Sequence, residues 1–386
     1  MRRPIALLAA TALLTTACAS GPILANPSAA LPSSRPAPTP PARPPDPQLV
    51  VLPRDDAPHD RLTEWWYYTG HIRDALNTRY GFEFVVFRAE RGGFPVTWAS
   101  HVALTNQTDG TFHYAQRSEI GPQVDASPAD GFSLRLLGGG EDPAEPGTPR
   151  APWTMAGSGG EDRLAFEVAG DEVEGDPFPS GFGLTLELTT SKPAALHDRD
   201  GWIDFGPAGG SYYYSRTAMR ANGVIEIGRA LRPAIATVWF DHQWGDFISV
   251  GGGGWDWFAV NLEDGVELTL SQVRAADGTY PLVYGTLVEA DGTTRHLGPD
   301  DFSVEVTGAW TSPATNARYP AGWRLRVPGE DLSIDLEPTV PQQELDTRAT
   351  TGVVYWEGSQ KVAATRAGEP LHGEAYVELT GYGPAS

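Results

Sequence analysis

The sequence predicts an all-β chain built as two packed antiparallel β-barrels, and three observations lead there. Glycine and proline are abundant, 44 and 34 of 386 residues, beside 12 Trp, 13 Tyr and 14 Phe. That composition suits short strands joined by tight turns and excludes a helical bundle. Aromatic and β-branched runs of four to ten residues recur between turn signals, and no window sustains a helical period. Finally, the chain echoes itself: Trp65-Trp66-Tyr67-Tyr68 stands 190 residues before Trp255-Asp256-Trp257-Phe258. The same offset matches Ile72 to Leu262 and Asp74 to Asp264. Each copy then turns into an apolar strand ending in arginine, Tyr80–Arg88 and Val266–Arg274. A split near Ala221, into 48–220 and 221–386, follows.

The first residues are an address. Arg2 and Arg3 precede the apolar run from Ile5 to Leu14, which is too short to span a bilayer. Thr15-Thr16-Ala17-Cys18 resembles a lipobox, so 1–17 is expected to be a lipoprotein signal peptide and Cys18 the lipidated residue. The alternative is plain secretion, with Cys18 in the signal core. Cys18 is the only cysteine, so no intramolecular disulfide can hold the fold. Residues 19–47 carry ten prolines among Ala and Ser. Together with Cys18 they form a Pro-rich tether (18–47) reaching at most ~90 Å. Folding is expected from Gln48.

Strands follow in order: Glu64–Arg73, Tyr80–Arg88, Thr97–Asn106, Arg163–Ala169 and Phe182–Thr190, then Trp323–Val327 and Leu332–Leu336. Alternation at period two is clearest in Gly183-Leu184-Thr185-Leu186-Glu187-Leu188. Asp109-Gly110, Asn222-Gly223, Asp264-Gly265, Asp277-Gly278 and Asp291-Gly292 are hairpin-type turns, because both central residues need positive φ. Gly138–Pro152 is a long surface loop by composition, and Gly251–Gly254 a flexible loop at a barrel mouth.

Charge and motif content narrow the chemistry. With 28 basic and 49 acidic residues, the net charge is −21, which disfavours nucleic acid or an anionic membrane face as partner. No Gly-x-Ser-x-Gly elbow and no His-Glu-x-x-His occurs. Eight scattered histidines and one cysteine give no zinc spacing. Neither metal nor other cofactor is expected.

A series of motifs then points to a family. Glu64-Trp65-Trp66-Tyr67-Tyr68-Thr69-Gly70 and Tyr80-Gly81-Phe82-Glu83-Phe84, ending at Arg88, open the series. Ser211-Tyr212-Tyr213-Tyr214-Ser215, Asp241-His242-Gln243-Trp244-Gly245, Trp255-Asp256-Trp257, Tyr355-Trp356-Glu357-Gly358 and Gly381-Tyr382 follow in order. Together they resemble the AttH-like and carotenoid 1,2-hydratase family. The resemblance implies two packed lipocalin-like barrels. It leaves activity open between alkene hydration, an unassigned secreted hydrolase, and a lipocalin-like protein working beside an ABC-type export permease. It also implies a His-x-Trp element, matched here by His242 and Trp244.

Hydrating an isolated alkene needs a carboxylic acid that keeps its proton, in a dry pocket with aromatic faces for the developing cation. Asp241 and Asp256 are the candidate acids, with His242 beside the first. Trp65, Trp66, Tyr68, Tyr213, Trp244, Trp255, Trp257, Trp356 and Glu357 are candidate wall residues. Alternation sets a contrary expectation for Asp256, because it must point away from Trp255 and Trp257. Asp241 could equally cap a turn, His242 be a satisfied buried histidine, and Glu64 and Arg88 an inter-strand ion pair. Two functions follow. One is an acid-catalysing enzyme acting on a hydrophobic isoprenoid- or lipid-like molecule. The other is a non-catalytic periplasmic carrier of such a molecule. Either is placed on the periplasmic side of a bacterial envelope, touching the membrane only through Cys18, with the outer membrane favoured by Ala19.

Overall fold

The computed structural model describes residues 45–143, 146–247 and 252–383. Cys18, the signal segment and most of the tether lie outside the described residues. Among the described residues there is no α-helix, and none that could cross a membrane. Two curled antiparallel sheets account for the fold, as two lipocalin-like barrel domains.

The first sheet has 13 strands. Its centre runs in the order Glu161–Val168, Phe182–Thr189, Gly210–Ile227, Ala230–Gly245, Thr63–Asp74, Arg79–Ala89 and Thr97–Asn106. The second has ten strands, centred on Glu267–Ala275, Gly252–Leu262, Glu369–Thr380 and Val354–Arg366. Each sheet curls around its own apolar core. Trp66, Phe82, Phe84, Trp98, Trp153 and Phe240 are among those filling the first, and Phe258, Leu268, Trp323, Leu325 and Trp356 the second.

Two expectations are corrected here. Ala221 lies inside the Gly210–Ile227 strand, and both that strand and Ala230–Gly245 belong to the first sheet. The change of sheet therefore comes after Gly245 and before Gly252. The first barrel needs a long hairpin, turned near Gly228, to join its early strands to its middle ones. Equal halves ignored that hairpin. The glycine run is also not all loop, because Gly252 to Gly254 begin a strand paired to Arg274 and Ala275.

Which strands face water explains the mixed patterning. Glu161–Val168 alternates exposed and buried, as a strand with one wet face must. Thr63–Asp74 and Ala230–Gly245 have long stretches with both faces covered, one by the barrel core and one by the opposing sheet. Hence their runs of aromatics with little alternation in polarity.

The sheets approach closely at Gly81. A Cβ there would lie 2.7 Å from Ser359 Cβ and 2.8 Å from the Tyr376 hydroxyl, both on the second sheet. No side chain fits without pushing the sheets apart. Gly81→Ala is expected to lower unfolding free energy by about 1–3 kcal/mol through overpacking. Gly92→Ala, with nothing within 4 Å of its Cβ, should change it by less than ~0.5 kcal/mol. Urea unfolding of both variants checks the contrast.

Candidate functional site

Odd-numbered positions of the central first-sheet strands point at the second sheet. Tyr67, Val85 and Trp239 meet Trp257, Ala259 and Tyr376 in an aromatic layer, with Trp65, Phe87 and Trp255 packed against it. Tyr67 and Trp257 meet edge to face at 5.5 Å, and Trp239 and Trp257 at 6.1 Å. Four carboxyls enter this layer from four strands: Glu83 and Asp241 from the first sheet, Glu357 and Glu378 from the second.

Their partners are neutral. The Tyr355 hydroxyl donates to Glu83 Oε1 at 2.8 Å, and Tyr67 donates to Glu357 Oε1. Trp255 Nε1 donates to Glu378 Oε2 at 2.9 Å. Asp241 accepts from Tyr213 at 2.6 Å, from Trp239 Nε1 at 2.7 Å, and from Ser215. Among the described residues, no cationic side chain bonds any of the four. Glu357 and Glu378 are direct cross-strand neighbours, where two negative charges would repel. Glu83 and Glu357 are each 1% exposed, and each has one carboxyl oxygen with no hydrogen-bond partner.

Burial therefore pushes these acids toward their protonated forms. Burial, opposed by the Tyr355 bond and reinforced by Glu378, pushes Glu83 up to about 8. Burial takes Asp241 up to about 7 against its three hydrogen bonds, and the partly buried Glu378 also to about 7. Glu357 is raised by burial and then by the charges of Glu83 and Glu378. The arrangement can hold protons near neutral pH inside a dry, aromatic-walled layer, which is what acid catalysis on carbon requires.

The candidates predicted from sequence divide among three places. Asp241, Tyr213, Trp65, Trp255, Trp257 and Glu357 lie in the layer; Tyr213 donates to Asp241 and accepts from Trp257 Nε1 at 3.0 Å. His242, adjacent to Asp241, points the other way into the first barrel, with Trp66, Tyr68 and Trp244. Asp256 and Trp356 belong to the second barrel's interior. Asp256 is 3% exposed rather than solvent-facing. Burial raises it to about 6, yet Arg274 at 3.2 Å and the Tyr382 hydroxyl at 3.0 Å occupy its oxygens. The expected convergence of Asp241, His242, Trp244 and Asp256 on one cavity is thus replaced by two barrel interiors and the layer between them. Alternation along each strand is the reason. Glu83, Glu378, Tyr67 and Tyr355 were not singled out. Their signal is a carboxyl or phenol between two apolar neighbours, as in Phe82-Glu83-Phe84 and Val377-Glu378-Leu379.

In the first barrel, Glu64 and Arg88 are register partners but do not pair. Arg88 turns to Glu90 at 2.8 Å. Glu64 Oε1 instead lies 2.7 Å from His59 Nδ1 and 2.9 Å from His242 Nε2. Burial alone would raise Glu64, but the two histidines hold it below its ordinary value. His242 is lowered by burial and stays neutral, donating its Nε2 proton. The donor atoms of all three side chains lie within 4.8 Å of one another.

The layer makes stability depend on pH. Carboxyls raised in the folded state bind more protons there than in the unfolded chain, between about pH 4.5 and 8. Their contribution to stability then falls as pH rises through that window, by ~1.4 kcal/mol per pH unit for each excess proton, while buried histidines held neutral, His101 and His197 among them, contribute with the opposite sign up to about pH 6.5. Urea unfolding of the wild type and of Glu83→Gln at pH 5 and pH 8 isolates one acid: the variant should lose less stability, or gain more, than the wild type between the two pH values. The same pH dependence in Glu83→Gln as in the wild type would mean that Glu83 is ionised when folded.

Comparison with known proteins agrees with this architecture. No curated protein matches the chain. The crystal structure of a protein assigned as AttH from Nitrosomonas europaea superposes with a TM-score of 0.72 at 29% identity, covering 87% of this chain and 98% of that one. Kievitone hydratase from Nectria haematococca superposes at 0.60 and 16% identity, covering 86% and 93%, and shares the fold. The AttH-like family profile matches residues 43–382, nearly all of the folded part. This chain is a member of the AttH-like family.

Proposed function

We propose that the chain binds a hydrophobic isoprenoid- or lipid-like molecule against the aromatic layer and adds water to it, or shifts its double bond, by acid catalysis. One observation carries this: Glu83 and Glu357 are buried acids, each with an oxygen left without a partner. A protonated carboxyl there gives its hydrogen to one alkene carbon. The π pair forms the new C–H bond and the neighbouring carbon becomes cationic. Water then forms the C–O bond and returns a proton to the carboxylate; loss of a different C–H proton instead isomerises the alkene. The rings of Tyr67 and Trp257 would face that cation. Asp241, held by three donors, serves better to position Tyr213 and Trp239 than to release a proton. A hydratase with the same fold supports the compatibility of the scaffold with such chemistry.

The same proposal places the protein on the periplasmic side of the envelope, held through Cys18 on its Pro-rich tether, in the outer membrane. Exchange of the lipophile with an ABC-type export permease belongs to it as well. Cys18→Ser should move the protein from membranes to the soluble periplasmic fraction; retention in membranes would refute the anchor.

For the chemistry, lipophilic material co-purifying with the full chain is identified by mass spectrometry and re-presented to the protein. Wild type should convert it, with a gain of one water or an isomeric shift. Glu357→Gln should still bind it while losing ~10²-fold or more in rate, as expected for a general acid; Glu83→Gln tests the second acid. Full turnover in both variants would exclude them as proton donors. Binding without conversion by wild type would make the protein a carrier.

A further inference from the structure

We propose that His59, Glu64 and His242 form a binding site for a borderline divalent metal ion, with Zn²⁺ the best fit, inside the mouth of the first barrel. Two imidazoles and one carboxylate suit Zn²⁺, Co²⁺ or Ni²⁺, and in zinc sites two His and one Glu leave a fourth position open. An ion bonded at ~2.0–2.2 Å to each donor needs those donors about 3–4 Å apart. Glu64 Oε1 is already 2.7 and 2.9 Å from the two ring nitrogens, and all three donors lie within 4.8 Å. Slight spreading admits the ion.

The surroundings fix the ligands. The His59 backbone N–H donates to Glu64 Oε2 at 2.8 Å, holding the carboxylate. His59 stacks on Trp244 with ring centroids 4.1 Å apart and planes 1° from parallel, and His242 stacks on Trp66 at 4.7 Å. Each ring also has an acceptor near its far nitrogen. Tyr214 OH is 3.4 Å from His242 Nδ1, and Asp55 is 3.8 Å from His59 Nε2. When an ion takes the near nitrogens, the ring protons shift to the far ones and meet those acceptors, the usual outer-shell support of a metal-bound histidine. Glu64 and His242 side chains are 0% exposed, whereas His59 is 21% exposed, so the ion enters and the open position faces out on the His59 side. Spacing along the chain does not reveal this set, because a loop and two paired strands far apart in sequence supply it.

The test uses the full chain dialysed free of metal and titrated with Zn²⁺, with Co²⁺ as the spectroscopic probe. One equivalent of Zn²⁺ should bind and raise the melting temperature. Co²⁺ should give visible d–d absorption of a four- or five-coordinate site. His59→Gln, at a half-buried loop position, should weaken binding at least ~10-fold and remove the Co²⁺ band, and Glu64→Gln should do the same. His372→Gln, at an exposed site, should change neither. No binding of either ion at ~100 μM, or unchanged binding in His59→Gln, overturns the site. Neither result bears on Glu83 or Glu357, which lie on the other side of the sheet.

Discussion

The constraint on which the rest depends is that the central strands bury both faces. A lipocalin-like sheet with one wet face can leave its outward carboxyls to solvent. Here the outward face of the central strands is covered by the other sheet, so a polar group on it carries a free-energy cost unless it is satisfied inside the protein. Tyrosine and tryptophan do this: their rings fill the space as apolar bodies while each O–H or N–H reaches a carboxyl. Tyr67, Tyr213, Tyr355, Trp239 and Trp255 all work this way. Since these donors bring no positive charge, burial pushes the carboxyls toward their neutral, protonated forms. The chemistry of the layer follows from how the sheets pack.

Much of the fold was legible because its signals are local. Asx-Gly turns, alternation in the outer strands and aromatic runs each describe a few consecutive residues; Asn222-Gly223 is the exception, lying inside the Gly210–Ile227 strand, whose hairpin turns at Gly228 instead. The internal echo also has a structural counterpart: Trp65 and Tyr67 face the layer from one sheet as Trp255 and Trp257 do from the other. The boundary was misplaced because an echo locates equivalent strands but not the number of strands around them. The site was less legible. Its acids come from strands far apart in sequence, and alternation decides their partners only once the register is known. Asp241 and His242 show the difficulty, being adjacent in the chain yet on opposite sides of a sheet. Asp256 shows it again, since its tryptophan neighbours face the layer while it turns to Arg274 and Tyr382.

The strand Ala230–Gly245 therefore joins two environments of opposite electrostatic character. On its inner side, His242 meets the ionised Glu64, and a charged pair stands nearby: Arg216 to Asp56 at 2.8 Å. On its outer side, Asp241 meets only hydroxyls and an indole. The neighbouring strand repeats the division, Tyr213 facing Asp241 and Tyr214 facing Asp56. A backbone shift of this hairpin moves both sides together, because Asp241 and His242 are consecutive residues of one strand.

The buried acids of the molecule fall into two groups by their partners. Glu267, Asp56 and Asp256 each meet a cation, Lys192 at 2.6 Å, Arg216 and Arg274, whereas Asp162 in the first barrel, like the acids of the layer, meets only a neutral donor, the hydroxyl of Tyr68 at 2.8 Å. A carboxyl made neutral by protonation escapes the large cost of a buried charge, but it still has a donor and acceptors to satisfy. Glu83 and Glu357 each leave one oxygen unpartnered, at a cost on the order of 1–3 kcal/mol apiece. Glutamine at either position would keep the shape without an ionisable proton, and a leucine pair would remove the polar demand altogether. Packing alone thus gives no reason for acids here. The proposed proton donation would use what packing avoids: a retained proton and an oxygen not already engaged, between buried aromatic walls.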